Sequence, residues 1–123
     1  MIRPILACVD PYKTAEVFAA AGWNIDFLQP PESGDPLVGV SLCDNSVLLG
    51  VTDGYVADDH IQHIGCGVVI YMTIPAEQIV SIYQNHLMLC PTELTAQPWG
   101  DLAFEVKIGG YQFMIAAVQG KEQ

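Results

Sequence analysis

The densest group of side chains able to bind a metal ion lies mid-chain, in the run Asp58-Asp59-His60-Ile61-Gln62-His63. His60 and His63 are three residues apart, so one helical turn would bring their imidazoles to the same side, and two carboxylates precede them. Imidazole and carboxylate are common ligands of divalent ions. A bound ion also needs a further ordered ligand and supporting hydrogen bonds. The sequence therefore favours a solvated polar loop, with a metal site at Asp59, His60 and His63 as the alternative.

Nucleophilic catalysis has no recognisable motif in this chain. The sequence contains neither a G-x-S-x-G motif nor a Gly-rich phosphate loop. The four cysteines, Cys8, Cys43, Cys66 and Cys90, form no C-x-x-C pair, which disfavours a zinc knuckle or a redox motif. Cys8 and Cys66 lie in apolar runs, which predicts buried thiols. In a reducing cytosol we expect no disulfide.

The chain is short, apolar and strongly acidic. Its 123 residues suit a single domain, and 51% hydrophobic residues can fill a core. The 14 acidic residues outnumber the 4 basic ones, for a net charge of −10. This charge disfavours nucleic acid and anionic membranes as partners and favours cationic ligands, although the acids could serve solubility alone. No apolar run is long enough to span a membrane, and Asp10 interrupts any secretory signal. We therefore expect a soluble cytoplasmic protein.

The pattern of apolar residues predicts the same order of elements twice. In the first half, a short apolar strand precedes Asp10-Pro11, a typical helix start, and Gly22 ends that helix. In the second half, an apolar strand precedes a helix that starts at Pro75. Three more strands follow each helix, predicted at 23–28, 37–42, 46–51, 93–97, 100–107 and 111–116.

The sequence therefore predicts an α+β fold made of two βαβββ modules in one domain. Module 1 spans about residues 1–52, a linker about 53–65, and module 2 about 66–118. Residues 119–123 form a polar tail. Gly109-Gly110 is the turn of the last hairpin.

This duplicated order resembles the glyoxalase/bleomycin-resistance/dioxygenase superfamily, also called the vicinal oxygen chelate superfamily, over nearly the whole chain. Asp10, Phe18 and Gly22-Trp23 are similar to the superfamily's first strand and its F-Y-x-x-L-G-F helix end. The resemblance implies curved mixed sheets that form half-barrels around a pocket and are completed by pairing as a homodimer.

Two further motifs carry the resemblance in the second half. Trp99-Gly100, followed by Phe104 and Val106, resembles the superfamily's W-G-x-x-x-F-x-V strand entry. Gly110 resembles the glycine of its D-P-D-G hairpin, although the rest of that motif is absent.

The resemblance also implies a divalent metal held by one His or Glu from each of four strands. Aligning the motifs places Arg3, Gly50, Val69 and Met114 at these positions. None of these side chains is a suitable ligand. The sequence therefore predicts no metal and no other cofactor, which is closer to bleomycin-resistance-type binding proteins than to glyoxalases.

A pocket of this kind without a metal would bind a flat or cationic small molecule, through apolar burial and cation–π contacts. The sequence thus predicts sequestration of a cationic or aromatic drug-like compound, of the antibiotic-resistance type. Trp23 and His86 are predicted to pack in the core instead. The predicted ligand-binding residues are the aromatic Trp99, Phe104, Tyr71 and Phe113, with the acidic Asp101, Glu105 and Asp44 as counter-charges.

Two alternatives stay open. One is a glyoxalase-type lyase or isomerase whose divalent metal has shifted to His60 and His63. The other is a non-catalytic structural or interaction protein, whose own side chains would fill the pocket.

Overall fold

The first module folds into one sheet and one helix. The structure is a computed structural model that describes residues 2–54 and 56–117, so the predicted tail at 119–123 lies outside the described residues. In chain order, the elements of this module are β1 (Ile5–Cys8), α1 (Pro11–Ala20), β2 (Asn24–Gln29), β3 (Leu37–Leu42) and β4 (Asn45–Val51).

The second module repeats this order. A 3-10 helix at Asp58–His63 lies between the modules, in the segment predicted as an irregular linker, and a 3-10 turn at Ala76–Gln78 leads into α2. The elements of the second module are β5 (Val69–Ile74), α2 (Ile79–Asn85), β6 (Thr95–Ala96), β7 (Leu102–Ile108) and β8 (Tyr111–Ala117).

Each module contributes its own four-stranded mixed sheet. The strand orders are β1-β4-β3-β2 and β5-β8-β7-β6. In both sheets the strand before the helix pairs in parallel with the last strand, and the other neighbours are antiparallel. The predicted α+β fold of two βαβββ modules is therefore confirmed.

Local sequence explains where the first helix starts. The Oδ1 atom of Asp10 accepts hydrogen bonds from the backbone N–H groups of Tyr12 and Lys13, at 3.0 and 3.2 Å. Pro11 occupies the first helical position. These are the features that favour a helix N-terminus. The helix then buries Ala15 and Phe18 against the first sheet.

One apolar core joins the two modules. Phe18 of α1 packs edge-on against both Trp23, at 4.8 Å between ring centroids, and Phe113 of β8, at 5.7 Å. Such edge-to-face pairs are favourable beyond the area they bury. In the described residues, no helix is both long and apolar enough to cross a lipid bilayer.

Candidate functional site

The second sheet has one face on the core and one face turned away from it, here called the open face. Successive strand residues point to opposite faces, and the buried Phe104 and Ile115 lie opposite each other on the core side. Tyr71, Met114 and Glu105 pair across β5, β8 and β7, one residue out of step with that buried pair. This row therefore lies on the open face, where Tyr71 is 47% exposed.

A carboxylate is held between two aromatic rings at the end of this face. Oδ2 of Asp101 accepts hydrogen bonds from the hydroxyl of Tyr71 at 2.5 Å and from the indole N–H of Trp99 at 2.9 Å. The hydrogen bond to Asp101 is the largest cause that raises the pKa of Tyr71, so Tyr71 stays a donor. Trp99 itself is 57% exposed. We call these three residues the Asp101 cluster.

The Trp-Gly pair of the sequence motif forms the turn that presents this cluster. The N–H of Gly100 donates to the carbonyl of Gln97 at 2.9 Å. Gly100 has a φ of +103°, a conformation that only glycine adopts without strain. The turn therefore places Trp99 and Asp101 side by side, just before β7 begins.

Glu105 supplies a second carboxylate on the open face. Its Oε1 accepts a hydrogen bond from the side chain of Gln112 at 3.1 Å. Glu105 lies four residues beyond Asp101 in the chain, which corresponds to about 13 Å of extended backbone. Lys107 is exposed on the same face, two residues beyond Glu105. Asp101 is therefore the carboxylate farther from that cation.

The other three predicted ligand-binding residues lie elsewhere. Phe104 is 1% exposed and packs against Tyr83 in the core, with ring centroids 5.1 Å apart, so no ligand on the open face reaches it. Phe113 is also on the core side, but it borders a cavity between the modules, and so does Asp44 at the turn before β4.

This inter-module cavity, here called the seam cavity, has a volume of about 310 Å³. Its floor is the ring pair Trp23 and Phe113, with centroids 5.6 Å apart. Tyr71 borders both the cavity and the open face. The full lining is Ile2, Pro4, Trp23, Asp44, Asn45, Ser46, Val47, Ile70, Tyr71, Met72 and Phe113.

A buried imidazole fixes the indole of Trp23 in place. The Nε1–H of Trp23 donates to Nε2 of His86 at 3.0 Å. Nδ1 of His86 lies 2.7 Å from the carbonyl of Ile82, so with Nε2 accepting it is the donor there. His86 is 0% exposed, and burial lowers its pKa. The predictions that Trp23 and His86 pack in the core are confirmed, but the bond between them was not predicted, because no spacing rule links residues so far apart in sequence.

The open face of the first sheet is apolar. Phe27, Gly39, Leu48 and Ile5 pair across the four strands, and a Cβ at Gly39 would lie only 2.4 Å from the ring of Phe27. The ring therefore rests directly on the glycine backbone. A recess of about 240 Å³ follows along this face, lined by Ile5, Ala7, Asp35, Leu37, Gly50 and Val51.

The positions aligned with the superfamily's metal ligands do not fit a divalent ion. Gly50, Val69 and Met114 lie on the open faces, but they offer a hydrogen atom, an isopropyl group and a thioether, and Arg3 offers a cation. Divalent ions of this kind prefer imidazole and carboxylate. No reaction step through a metal therefore follows from these residues.

The alternative metal site is an exposed surface turn. Asp59, His60 and His63 lie on the 3-10 helix Asp58–His63, which has no buried residue. Within residues 2–54 and 56–117, no three His, Cys, Asp or Glu side chains are grouped so that they could hold an ion.

The cysteines agree with the sequence predictions at one of two positions. Cys8 is buried, which raises the pKa of its thiol. The prediction that Cys66 is buried is wrong, because it lies exposed in a turn between two glycines with positive φ. All four thiols are free.

Comparisons with known proteins show the same architecture. A member of the glyoxalase/bleomycin resistance protein/dioxygenase superfamily from Sphaerobacter thermophilus matches with a TM-score of 0.67 and 17% identity, over 95% of this chain and 96% of that one. A bleomycin resistance determinant encoded on the transposon Tn5 matches with a TM-score of 0.68 and 12% identity, over 97% and 98%. The lactoylglutathione lyase of Agrobacterium tumefaciens matches with a TM-score of 0.62 and 12% identity, over 95% and 92%.

These likenesses identify an α+β protein of paired βαβββ modules. The chain has the fold of the glyoxalase/bleomycin resistance/dioxygenase superfamily, as the sequence resemblance predicted. No protein-family model and no curated protein sequence matches it. Because the same fold occurs in a resistance determinant and in a lyase, function has to be argued from the residues of the site.

Proposed function

We propose that this chain binds a small cationic aromatic molecule on the open face of the second sheet, without catalysing a reaction on it. The supporting observation is the Asp101 cluster, in which a carboxylate lies between the exposed side chains of Tyr71 and Trp99. Sequestration of a drug-like compound is the biological role that this binding would serve.

The chemistry of the cluster selects for charge and flatness together. An exposed aromatic face attracts a cation by about 0.5–1 kcal/mol, and a partly exposed ion pair adds roughly 0.2–1 kcal/mol. The net charge of −10 raises the local concentration of cations around the whole protein. A ligand without positive charge would gain only the apolar part of this energy.

Calorimetric titration tests the proposal directly. Metal-free bleomycin and proflavine, a planar cation, should bind, whereas 2-naphthoate, a planar anion, should not. Asp101→Asn keeps the shape of the side chain and removes its charge, so it should weaken proflavine binding about fivefold, the effect of roughly 1 kcal/mol.

Asp59→Asn is the matched control, because it removes the same charge from the exposed turn between the modules. It should leave the affinity for proflavine unchanged. If no cation binds at high micromolar concentration, or if Asp101→Asn binds as tightly as the unaltered chain, the proposal is wrong.

The two alternative functions have less support from the residues. The lyase or isomerase reading needs a divalent ion, and neither the aligned positions nor His60 and His63 provide a ligand set. Metal analysis of protein purified without chelators decides this point, since a stoichiometric ion would favour the enzyme. The purely structural reading expects filled pockets, whereas cavities of about 310 and 240 Å³ are present.

We also propose that two copies pair as a homodimer in the cytoplasm. The apolar side chains Ile5 and Phe27 on the first open face are 66% and 39% exposed, and a second copy would cover them. The four free thiols suit a reducing compartment. Light scattering coupled to gel filtration should give a dimer, which Phe27→Glu should dissociate. A monomer at all concentrations would contradict this.

A further inference from the structure

The seam cavity shares Tyr71 with the open face of the second sheet, but its floor belongs to both modules. We propose that it is a second binding site, one that takes a small molecule of two fused rings, at least one of them aromatic, that carries an ammonium group. This goes beyond the function proposed above, which rests on the Asp101 cluster, and either site can exist without the other.

The size of the cavity sets the size of its ligand. An engineered apolar cavity of about 150 Å³ binds benzene. The seam cavity is about twice as large, at about 310 Å³, and it lies at the lower end of the range of natural ligand pockets. It therefore has room for two fused rings.

The floor of the cavity is already ordered before any ligand arrives. The ring of Trp23 packs edge-on against Phe18 and Phe113, and its N–H is held by His86. Val47 is also buried. Because the packed rings of the floor have little freedom left to lose, ordering them adds little to the cost of binding.

The rim of the cavity adds polarity to these apolar walls. Asp44, Asn45 and Ser46 form this rim. The side-chain amide of Asn45 donates to the carbonyl of Thr73 at 2.8 Å, which ties the rim to β5. Asp44 is the charged residue in the lining and is exposed. A flat ring system with an ammonium group would therefore place its rings against the apolar lining, with one edge near Trp23, and its charge near Asp44.

The chain contains two tryptophans, one at each proposed site, so each site has its own reporter. Protein labelled with ¹⁵N at its tryptophans gives one indole N–H resonance for Trp23 and one for Trp99, and Trp99→Phe assigns them. The probe is 2-aminoindane, with indane-2-carboxylate as the ligand of the same size and opposite charge.

The Trp23 resonance should shift saturably with 2-aminoindane and about threefold more weakly with the carboxylate, as expected for one exposed charge. Asp44→Asn should reduce the preference for the amine over the carboxylate, and Asp59→Asn should leave this preference unchanged. Ile70→Phe, which enlarges a half-buried side chain that pairs with Phe113 and borders the cavity, should weaken the Trp23 response at least about tenfold while the Trp99 resonance stays in place.

A saturable shift of Trp99 alone would overturn this inference and leave the proposed function standing. A shift of Trp23 alone would support the inference and contradict the open-face site for this probe. If neither resonance responds, or if Ile70→Phe leaves the Trp23 response unchanged, the seam cavity is not a binding site.

Discussion

Acidification from pH 7 to pH 5 is expected to destabilise this protein through one buried imidazole. In the native state, Nε2 of His86 accepts the N–H of Trp23 at 3.0 Å, and Nδ1 faces the carbonyl of Ile82 at 2.7 Å. A proton added at Nε2 would point at the indole N–H, so two donors would face each other. Burial also disfavours the imidazolium, and the pKa of His86 is lowered. The unfolded chain therefore takes up this proton before the native chain does.

Proton linkage gives the sign and the size of this loss of stability. A histidine in an unfolded chain titrates near pH 6.5, so the stability contributed by neutral His86 is fully present above that pH. It is lost as the pH falls from there towards the lowered native pKa. Each pH unit costs up to about 1.4 kcal/mol. Integrating the unfolded-state titration from pH 7 to pH 5 gives about 1.9 kcal/mol, the full effect if His86 stays neutral in the native state.

Urea unfolding followed by circular dichroism measures this loss. The test variant is His86→Gln, whose amide oxygen can still accept the N–H of Trp23 but does not titrate. It should be less stable than the unaltered chain at pH 7 and should lack about 1.9 kcal/mol of the decline towards pH 5.

The chain provides matched controls. It has three histidines, and His60 and His63 are exposed. His60→Gln and His63→Gln should keep the decline of the unaltered protein. If His86→Gln loses as much stability between pH 7 and pH 5 as the unaltered chain does, the buried imidazole is not the cause and the reasoning is refuted.

Two other predictions concern backbone packing and the Asp101 cluster. A Cβ on Gly65 would lie 2.3 Å from the carbonyl oxygen of Gly110, whereas Gly67 has nearly the same positive φ and open space around it. Gly65→Ala should therefore lower the free energy of unfolding, measured in urea, by at least about 2 kcal/mol more than Gly67→Ala does. Equal decreases for the two variants would contradict the contact. Asp101→Asn should lower the pKa of Tyr71, because the carboxylate hydrogen bond is what chiefly raises it; ultraviolet titration against a Tyr71→Phe baseline measures this, and an unchanged pKa would mean that the hydrogen bond does not form.

The order of elements was predictable because local signals mark it. Asp10-Pro11 starts α1, and strict alternation marks β7. The faces were predictable in part. Phe104 and Glu105 are neighbours in one strand, and neighbours point to opposite faces. Phe104 and Glu105 could therefore not both line one pocket. Because Phe104 and Val106 are apolar and lie on the same side of the strand, the alternation already places Glu105 on the opposite, open face.

The contacts between the two modules could not be predicted in the same way. The bond between Trp23 and His86 and the contact between Trp23 and Phe113 join residues that only the docking of the two modules brings together. Alternation says which residues share a face, but it does not say which strands of the other module that face will meet. Asp44 and Phe113 were therefore predicted as pocket residues without any means to separate their cavity from the open face.

The row Tyr71, Met114 and Glu105 forms a continuous strip across three strands of the second sheet's open face. Met114 stands where the alignment places a metal ligand, and its cross-strand neighbours are an aromatic ring and a carboxylate. A thioether is polarisable and makes favourable contacts with aromatic rings, so the row can serve as the floor for a flat ligand. On the function proposed above, a cationic group of the ligand would lie near Asp101. Apolar burial on this floor would then supply most of the affinity, and charge would select among ligands of similar shape.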